Sequence, residues 1–194
     1  MDKANYIRVT EVLGIYVDFS KIKPDVLDFA TDRGSRVHAL TAGYAQDVWI
    51  PEIPEYCKGY FDSFTGWFDK HVVRVIYVEE RFYNNVYFYA GQPDFILEMR
   101  SEGIVLIDEK TPQTHYPTWA GQLAAYLNLE IAKPEERLAY SGYPHQLLII
   151  DKGGSLQLDP HGKNARMNWY KESAEDYAQF LHALSAYRYF TERR

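Results

Sequence analysis

Asp94, Asp108 and Lys110 are the residues of this chain whose types and spacing could do chemistry. Asp108 and Lys110 close the run Ile104-Val105-Leu106-Ile107-Asp108-Glu109-Lys110-Thr111, whose apolar stretch reads as a strand buried on both faces. Side chains alternate along a strand, so Asp108 and Lys110 share one face and Glu109 takes the other. Charges at the end of a buried strand are costly unless they are paired or bound to a metal. Taken by itself, this spacing also fits a plain ion pair at a strand end, or charges that have reached solvent.

The elements on either side narrow the choice. Residues 86–99 read as another strand, interrupted by Gly91 and Pro93 just before Asp94. Glycine permits a bend or a close backbone approach and proline removes a donor, so the strand is distorted there. A turn within residues 98–103 would return the chain as a hairpin and bring Asp94 near Asp108. Two carboxylates converging beside a lysine are awkward without a cation and suit Mg²⁺ or Mn²⁺. Upstream, Pro24 suits the first turn of a helix continuing through residues 25–31, and Gly34 is expected to mark a break or a close contact. From Ser35, residues Val37, Leu40, Thr41 and Tyr44 recur at helical spacing, with His38 at the edge of the stripe. A lone histidine there is more often packed at a core boundary. The preceding Arg33-Gly34-Ser35-Arg36-Val37 run and the later carboxylates favour a metal ligand, since imidazole serves Mn²⁺ among oxygens.

Pro93-Asp94 followed by Asp108-Glu109-Lys110 resembles the signature of the PD-(D/E)XK nuclease superfamily. Gln122-Leu123-Ala124-Ala125-Tyr126 is similar to the Q-x-x-x-Y motif of its RecB-like branch, and residues 33–38 to that branch's upstream histidine motif. The resemblance runs from about Val9 to Leu184 and is strongest to small phage-type exonucleases. It implies a restriction-endonuclease-like α/β fold over a single domain, residues 1–194. A central mixed sheet of strands near 72–82, 86–99, 103–109 and 145–158 would carry helices on both sides. It also implies hydrolysis of DNA phosphodiesters in recombination, repair or phage replication. Asp94 and Asp108 would bind one or two Mg²⁺ or Mn²⁺ ions, joined by the Glu109 backbone carbonyl, His38 and Glu79. Glu79 lies fifteen residues before Asp94, where the family pattern places a glutamate, and Glu80 falls on the opposite strand face. Lys110 would position or activate the attacking water. Gln122 and Tyr126, one helical turn apart, would face the site and orient the lysine or the nucleic acid, where the bland reading is a helix shoulder against core. The exonuclease mode comes from the resemblance alone.

Length and composition set bounds. The 194 residues suffice for one well-buried domain. The seventeen tyrosines and ten phenylalanines should be mostly core. A single cysteine, Cys57, excludes an internal disulfide and the four-cysteine iron–sulfur cluster carried by some RecB-like nucleases. No apolar run approaches the ~20 residues of a membrane span, and residues 1–5 lack the apolar core of a signal peptide. The expected location is therefore intracellular, with no membrane partner, and the resemblance implies the cytoplasm of a bacterium or phage-infected cell. A net charge of −6 argues mildly against nonspecific nucleic-acid binding, which rests on neutralising phosphates. Local basic clusters offset it: Lys21, Lys23, Arg33 and Arg36 form one, with Arg33 and Arg36 as candidate DNA contacts. Lys152, Lys163, Arg166 and Lys171 form another, and an ordinary solvated surface explains either equally well. Two rival classes stay open: a nucleic-acid-binding protein that kept the fold without turnover, and a structural subunit of a recombination or packaging complex. Homo-oligomers and a recombination partner protein are compatible with all three.

The remaining pattern is architectural. Pro51 and Pro54 punctuate a loop. Cys57, Tyr60, Phe61, Phe64, Trp67, Phe68 and His71 then recur at three and four, a strong amphipathic helix with an aromatic core stripe. A helix is expected over residues 121–130. Strands over 145–150 and 155–158 would be joined by a turn at Asp151-Lys152-Gly153-Gly154. Ser173 should cap a last helix buried through Tyr177, Phe180, Leu181, Leu184 and Tyr187.

Overall fold

A computed structural model describes residues 6–50, 52–134 and 146–191. Two mixed sheets carry helices on their faces. In chain order the described elements are β1 (Ile7–Arg8), α1 (Val9–Gly14), α2 (Pro24–Ala45), α3 (Glu55–His71), β2 (Val72–Val78), β3 (Phe82–Asn84) and β4 (Tyr89–Gly91). There follow β5 (Phe95–Met99), β6 (Gly103–Lys110), α4 (Thr118–Leu127), β7 (Lys152–Gln157), β8 (Arg166–Trp169) and α5 (Ala174–Thr191). The larger sheet has the order β2-β5-β6-β7-β8 and the smaller β1-β4-β3. Strand β6 lies at the centre, antiparallel to β5 and parallel to β7.

The alternation of β5 and β6 builds two cores. Ile96 and Leu106 point toward α1, α4 and α5, where they meet Val12, Leu123, Tyr126 and Phe180. Phe95, Leu97, Val105 and Ile107 point the other way, onto Val37 of α2 and Tyr60, Phe64 and Trp67 of α3. The aromatic stripe of α3 is core, as its spacing required. Ser173 caps α5 through its Oγ, which accepts the Asp176 N–H at 3.4 Å.

Several expectations are corrected. Gly34 does not break the helix: α2 runs unbroken through it, because burial of Val37, Leu40 and Thr41 outweighs a glycine penalty of about 1 kcal/mol. The strand expected over 72–82 stops at Val78, where Glu79 takes a positive φ of 47°. The strand expected over 86–99 is two strands in two sheets, β4 and β5, separated at Gln92-Pro93. Gly91 ends β4 against the Tyr126 ring; a Cβ there would stand 2.6 Å from Tyr126 Cδ1. Asp151-Lys152-Gly153-Gly154 is not a hairpin turn. Asp151 instead bonds back to Ile104, donating its N–H to the carbonyl and accepting from the amide through Oδ2, both at 2.7 Å. Gly153 and Gly154 lie inside β7, where a Cβ on Gly154 would meet Met167 Sδ at 2.8 Å. The hairpin partner of β7 is β8. Within 146–150 a single bridge, Leu147 to Ala132, replaces the expected strand. His145, Pro51 and the N-terminal residues 1–5 lie outside the described residues. The helix expected over 121–130 is α4, shifted to Thr118–Leu127. Among the described residues no helix is long and apolar enough to cross a membrane.

Candidate metal centre

The C-terminal end of β6, the break before β5, and the inner faces of α2 and α4 meet at a cleft of about 610 Å³. Its floor holds His38, Asp94, Asp108, Glu109 and Lys110, with Gln122 and Tyr126 beside them. The segment Pro93-Asp94 delivers the first carboxylate. Pro93 cannot donate to a ladder, so pairing lapses there and Asp94 turns off the sheet end. Its backbone carbonyl accepts the Glu79 N–H at 2.9 Å, Oδ1 lies 2.9 Å from His38 Nδ1, and Oδ2 accepts the Glu109 N–H at 2.5 Å.

The alternation of β6 then splits its three charged residues. Asp108 points to the α4 side, follows Leu106 in parity, and pairs with Lys110 Nζ. Gln122 serves both: its Nε2 donates to Asp108 Oδ1 at 2.9 Å and to the Tyr126 hydroxyl at 3.0 Å, while its Oε1 accepts from Lys110 Nζ at 3.0 Å. The Trp119 ring sits 5.4 Å from the same ammonium. Glu109 follows Ile107 in parity, toward α2, and is 1% exposed. Neither of its carboxylate oxygens has a hydrogen-bond partner.

Glu79, solvent-exposed, completes a trio: its carboxylate, one His38 ring nitrogen and an Asp94 oxygen all lie within 4.8 Å of one another. Its left-handed backbone turns the side chain back toward Asp94, and such a conformation in a non-glycine residue is strained. Of the two glutamates considered, Glu79 is the one in this cluster; Glu80 is outside it.

Electrostatics follow the crowding. Burial opposes charge on His38, but Asp94, Glu109 and Asp108 outweigh it and hold the imidazolium up to about 10. Burial pushes the Glu109 carboxyl up to about 7, a rise that His38 only partly offsets. Burial and the neighbouring Asp94 likewise raise Asp108 against the pull of Lys110. Asp94 moves the other way: burial opposes its charge, yet His38, Lys110 and the Glu109 N–H together lower it. Burial and Asp94 raise Glu79. Burial is the largest cause of each raised acid, and the crowding of carboxylates around one imidazole adds to it. That donor set suits Mg²⁺ or Mn²⁺. His38, Glu79 and Asp94 could hold such an ion, with Asp108 and Glu109 adjoining.

The basic residues divide. Arg33 lines the cleft, its guanidinium 5.1 Å from the Tyr60 ring and 5.9 Å from that of Phe29, with a buried Nε that has no partner. Arg36 faces away, paired with Asp32 at 2.8 Å, and lines a separate depression beside Trp49. Lys152 is engaged by Glu102 and the Trp169 ring at the far end of β7. Sequence reasoning missed the outer wall of the cleft, Leu13, Phe19, Ile22 and Leu27, and the place of Trp119 beside Lys110. Nothing in the spacing of those wall residues marks them; they meet the site only where α1, the link to α2 and the start of α2 line the cleft.

The fold and site thus define a mixed α/β protein with a carboxylate–histidine cluster at a central strand end. Compared with protein-family models and with curated proteins, the chain matches none.

Proposed function

We propose that this chain is a divalent-metal-dependent deoxyribonuclease of the PD-(D/E)XK superfamily, RecB-like branch, with a restriction-endonuclease-like fold and an exonuclease mode. One observation carries the reading: Asp94 of the Pro-Asp pair is bonded to the backbone of the Asp108-Glu109-Lys110 run, beside His38 and Gln122. Four motifs scattered over the chain meet in one cleft.

His38, Glu79, Asp94 and Asp108 would hold Mg²⁺ or Mn²⁺, with Glu109 contributing at least its backbone. A divalent ion bound there lowers the pKa of water and stabilises charge building on a phosphoryl oxygen. Lys110 carries the positive charge nearest that chemistry; Gln122 and the Trp119 ring hold its ammonium in place. Asp94 is held at three atoms, its Oδ2 by the Glu109 N–H, so its carboxylate is positioned in the cleft in advance. Arg33, on the cleft wall, would meet a phosphate through its guanidinium. Hydrolysis leaves a 5′-phosphate and a 3′-hydroxyl.

A digestion time course on end-labelled linear and on circular DNA, with Mg²⁺, Mn²⁺ or EDTA, tests this. Loss of label from linear DNA with either metal, none in EDTA and intact circles is the expected result. Stable linear DNA under every condition overturns the nuclease reading, and linearised circles overturn the exonuclease mode.

A further inference from the structure

We propose that the side-chain carboxylate of Glu109 is itself a ligand of the divalent cation, alongside His38, Glu79 and Asp94. The family resemblance gives this position only a main-chain carbonyl, so the side chain is a separate matter. Glu109 is buried with no hydrogen-bond partner on either oxygen. The Thr41 hydroxyl beside it lowers its pKa, yet donates to the His38 carbonyl at 3.0 Å. Its neighbour Asp108, equally buried, has Lys110 and Gln122. Two adjacent acids of one strand therefore differ: Asp108 is paired directly with an ammonium and an amide, whereas Glu109 has only the nearby charge of His38 and a Thr41 hydroxyl turned to another acceptor.

A buried carboxylate without a full hydrogen bond or a directly paired cation is unfavourable, so a divalent cation is its natural partner. Glu109 lines the same cleft as His38 and Asp94, and its own N–H holds Asp94 Oδ2. Its oxygens lie outside the mutual 4.8 Å reach of the His38–Glu79–Asp94 trio, so ligation requires its side chain to turn toward them. A further hard oxygen ligand fits the six-coordinate preference of Mg²⁺ and Mn²⁺.

The inference rests on the metal centre proposed above and is tested without DNA. Mn²⁺ is titrated into the full chain and into E109Q, with free Mn²⁺ read by electron paramagnetic resonance and thermal unfolding followed with Mn²⁺ and with EDTA. The exposed-site variant E175Q is the control. E109Q should raise the Mn²⁺ Kd tenfold or more, shrink the rise in Tm given by Mn²⁺, and leave Tm in EDTA equal to the parent or higher. Mn²⁺ affinity within twofold of the parent overturns the proposal. So does weakened affinity accompanied by a lowered Tm in EDTA, since that is a folding role. If E109Q does not fold, E109M fills the same volume without charge and is read by the same criteria. A parent that binds Mn²⁺ through Glu109 yet cuts no DNA overturns the nuclease reading and leaves this one standing. A parent that binds no Mn²⁺ overturns the centre and this ligand together.

Discussion

The Glu109 backbone N–H donates to Asp94 Oδ2 at 2.5 Å, tying the bend before β5 to the end of β6. The β5–β6 ladder already brings Phe95 opposite Ile107, so Asp94 is one residue past a fixed register. The bond converts that register into a fixed carboxylate position, and the site's chemistry depends on it.

Asp108→Asn should abolish metal-dependent cleavage, with a loss of at least about a hundredfold, the scale of one preorganised electrostatic group. The amide keeps the bond from Gln122, so far-ultraviolet circular dichroism should match the parent. A variant that cuts at the parental rate moves the site elsewhere.

Lys110→Met should act on the chemical step. Single-turnover cleavage should fall about a hundredfold, while DNA affinity in Ca²⁺ changes little, because one phosphate contact among many is lost. In EDTA the variant should lose on the order of 3 kcal/mol, since Asp108 is left buried without its cation. Recovery of the parental rate at saturating metal would show that Lys110 only neutralises the carboxylates.

His38 gives a pH dependence. Its folded-state pKa, about 10, lies above the ordinary 6.5, so in the metal-free protein its charge stabilises the fold. That contribution is full below pH 6.5 and is lost as pH rises through about 10. The difference in Tm between the parent and His38→Ala in EDTA should therefore narrow steadily across that window. A ligating imidazole must be neutral, so Mn²⁺ binding should release protons and tighten as pH rises. Calorimetric titration in buffers of different ionisation enthalpy reads the release; a binding enthalpy independent of buffer counts against His38 as a ligand.

Gly91→Ala tests the frame rather than the chemistry. The added Cβ would stand 2.6 Å from the Tyr126 ring and 2.8 Å from Leu129 Cδ1. Overpacking of this kind costs about 1–3 kcal/mol. It also pushes Tyr126 against Gln122, so cleavage should fall more than stability at 25 °C explains. Chemical denaturation paired with single-turnover rates separates the two effects; an unchanged denaturation midpoint would mean the ring moves freely.

What the sequence determined by itself was local and periodic. The alternation of residues 104–110 put Asp108 with Lys110 and Glu109 across the strand, and the helical spacing of Gln122 and Tyr126 put both on one face; the structure keeps both relations. The aromatic stripe of α3 was equally legible, because burial follows a period of 3.6 whatever the neighbours are. The tertiary structure alone decided the rest. Whether Gly34 ends a helix depends on what Val37 and Leu40 pack against, and whether Gly153-Gly154 turns depends on Met167 and Leu127 lying close against β7. Arg33 and Arg36 are three residues apart on one helix, yet one lines the cleft and the other pairs with Asp32, a difference set by how α2 is rotated against the sheet. The same holds for Glu109: its type and parity were readable, but that the Thr41 hydroxyl beside it donates to the His38 carbonyl follows only from where α2 places both residues. Local spacing fixes which side chains share a face; what stands opposite that face is set by contacts between residues far apart in the chain.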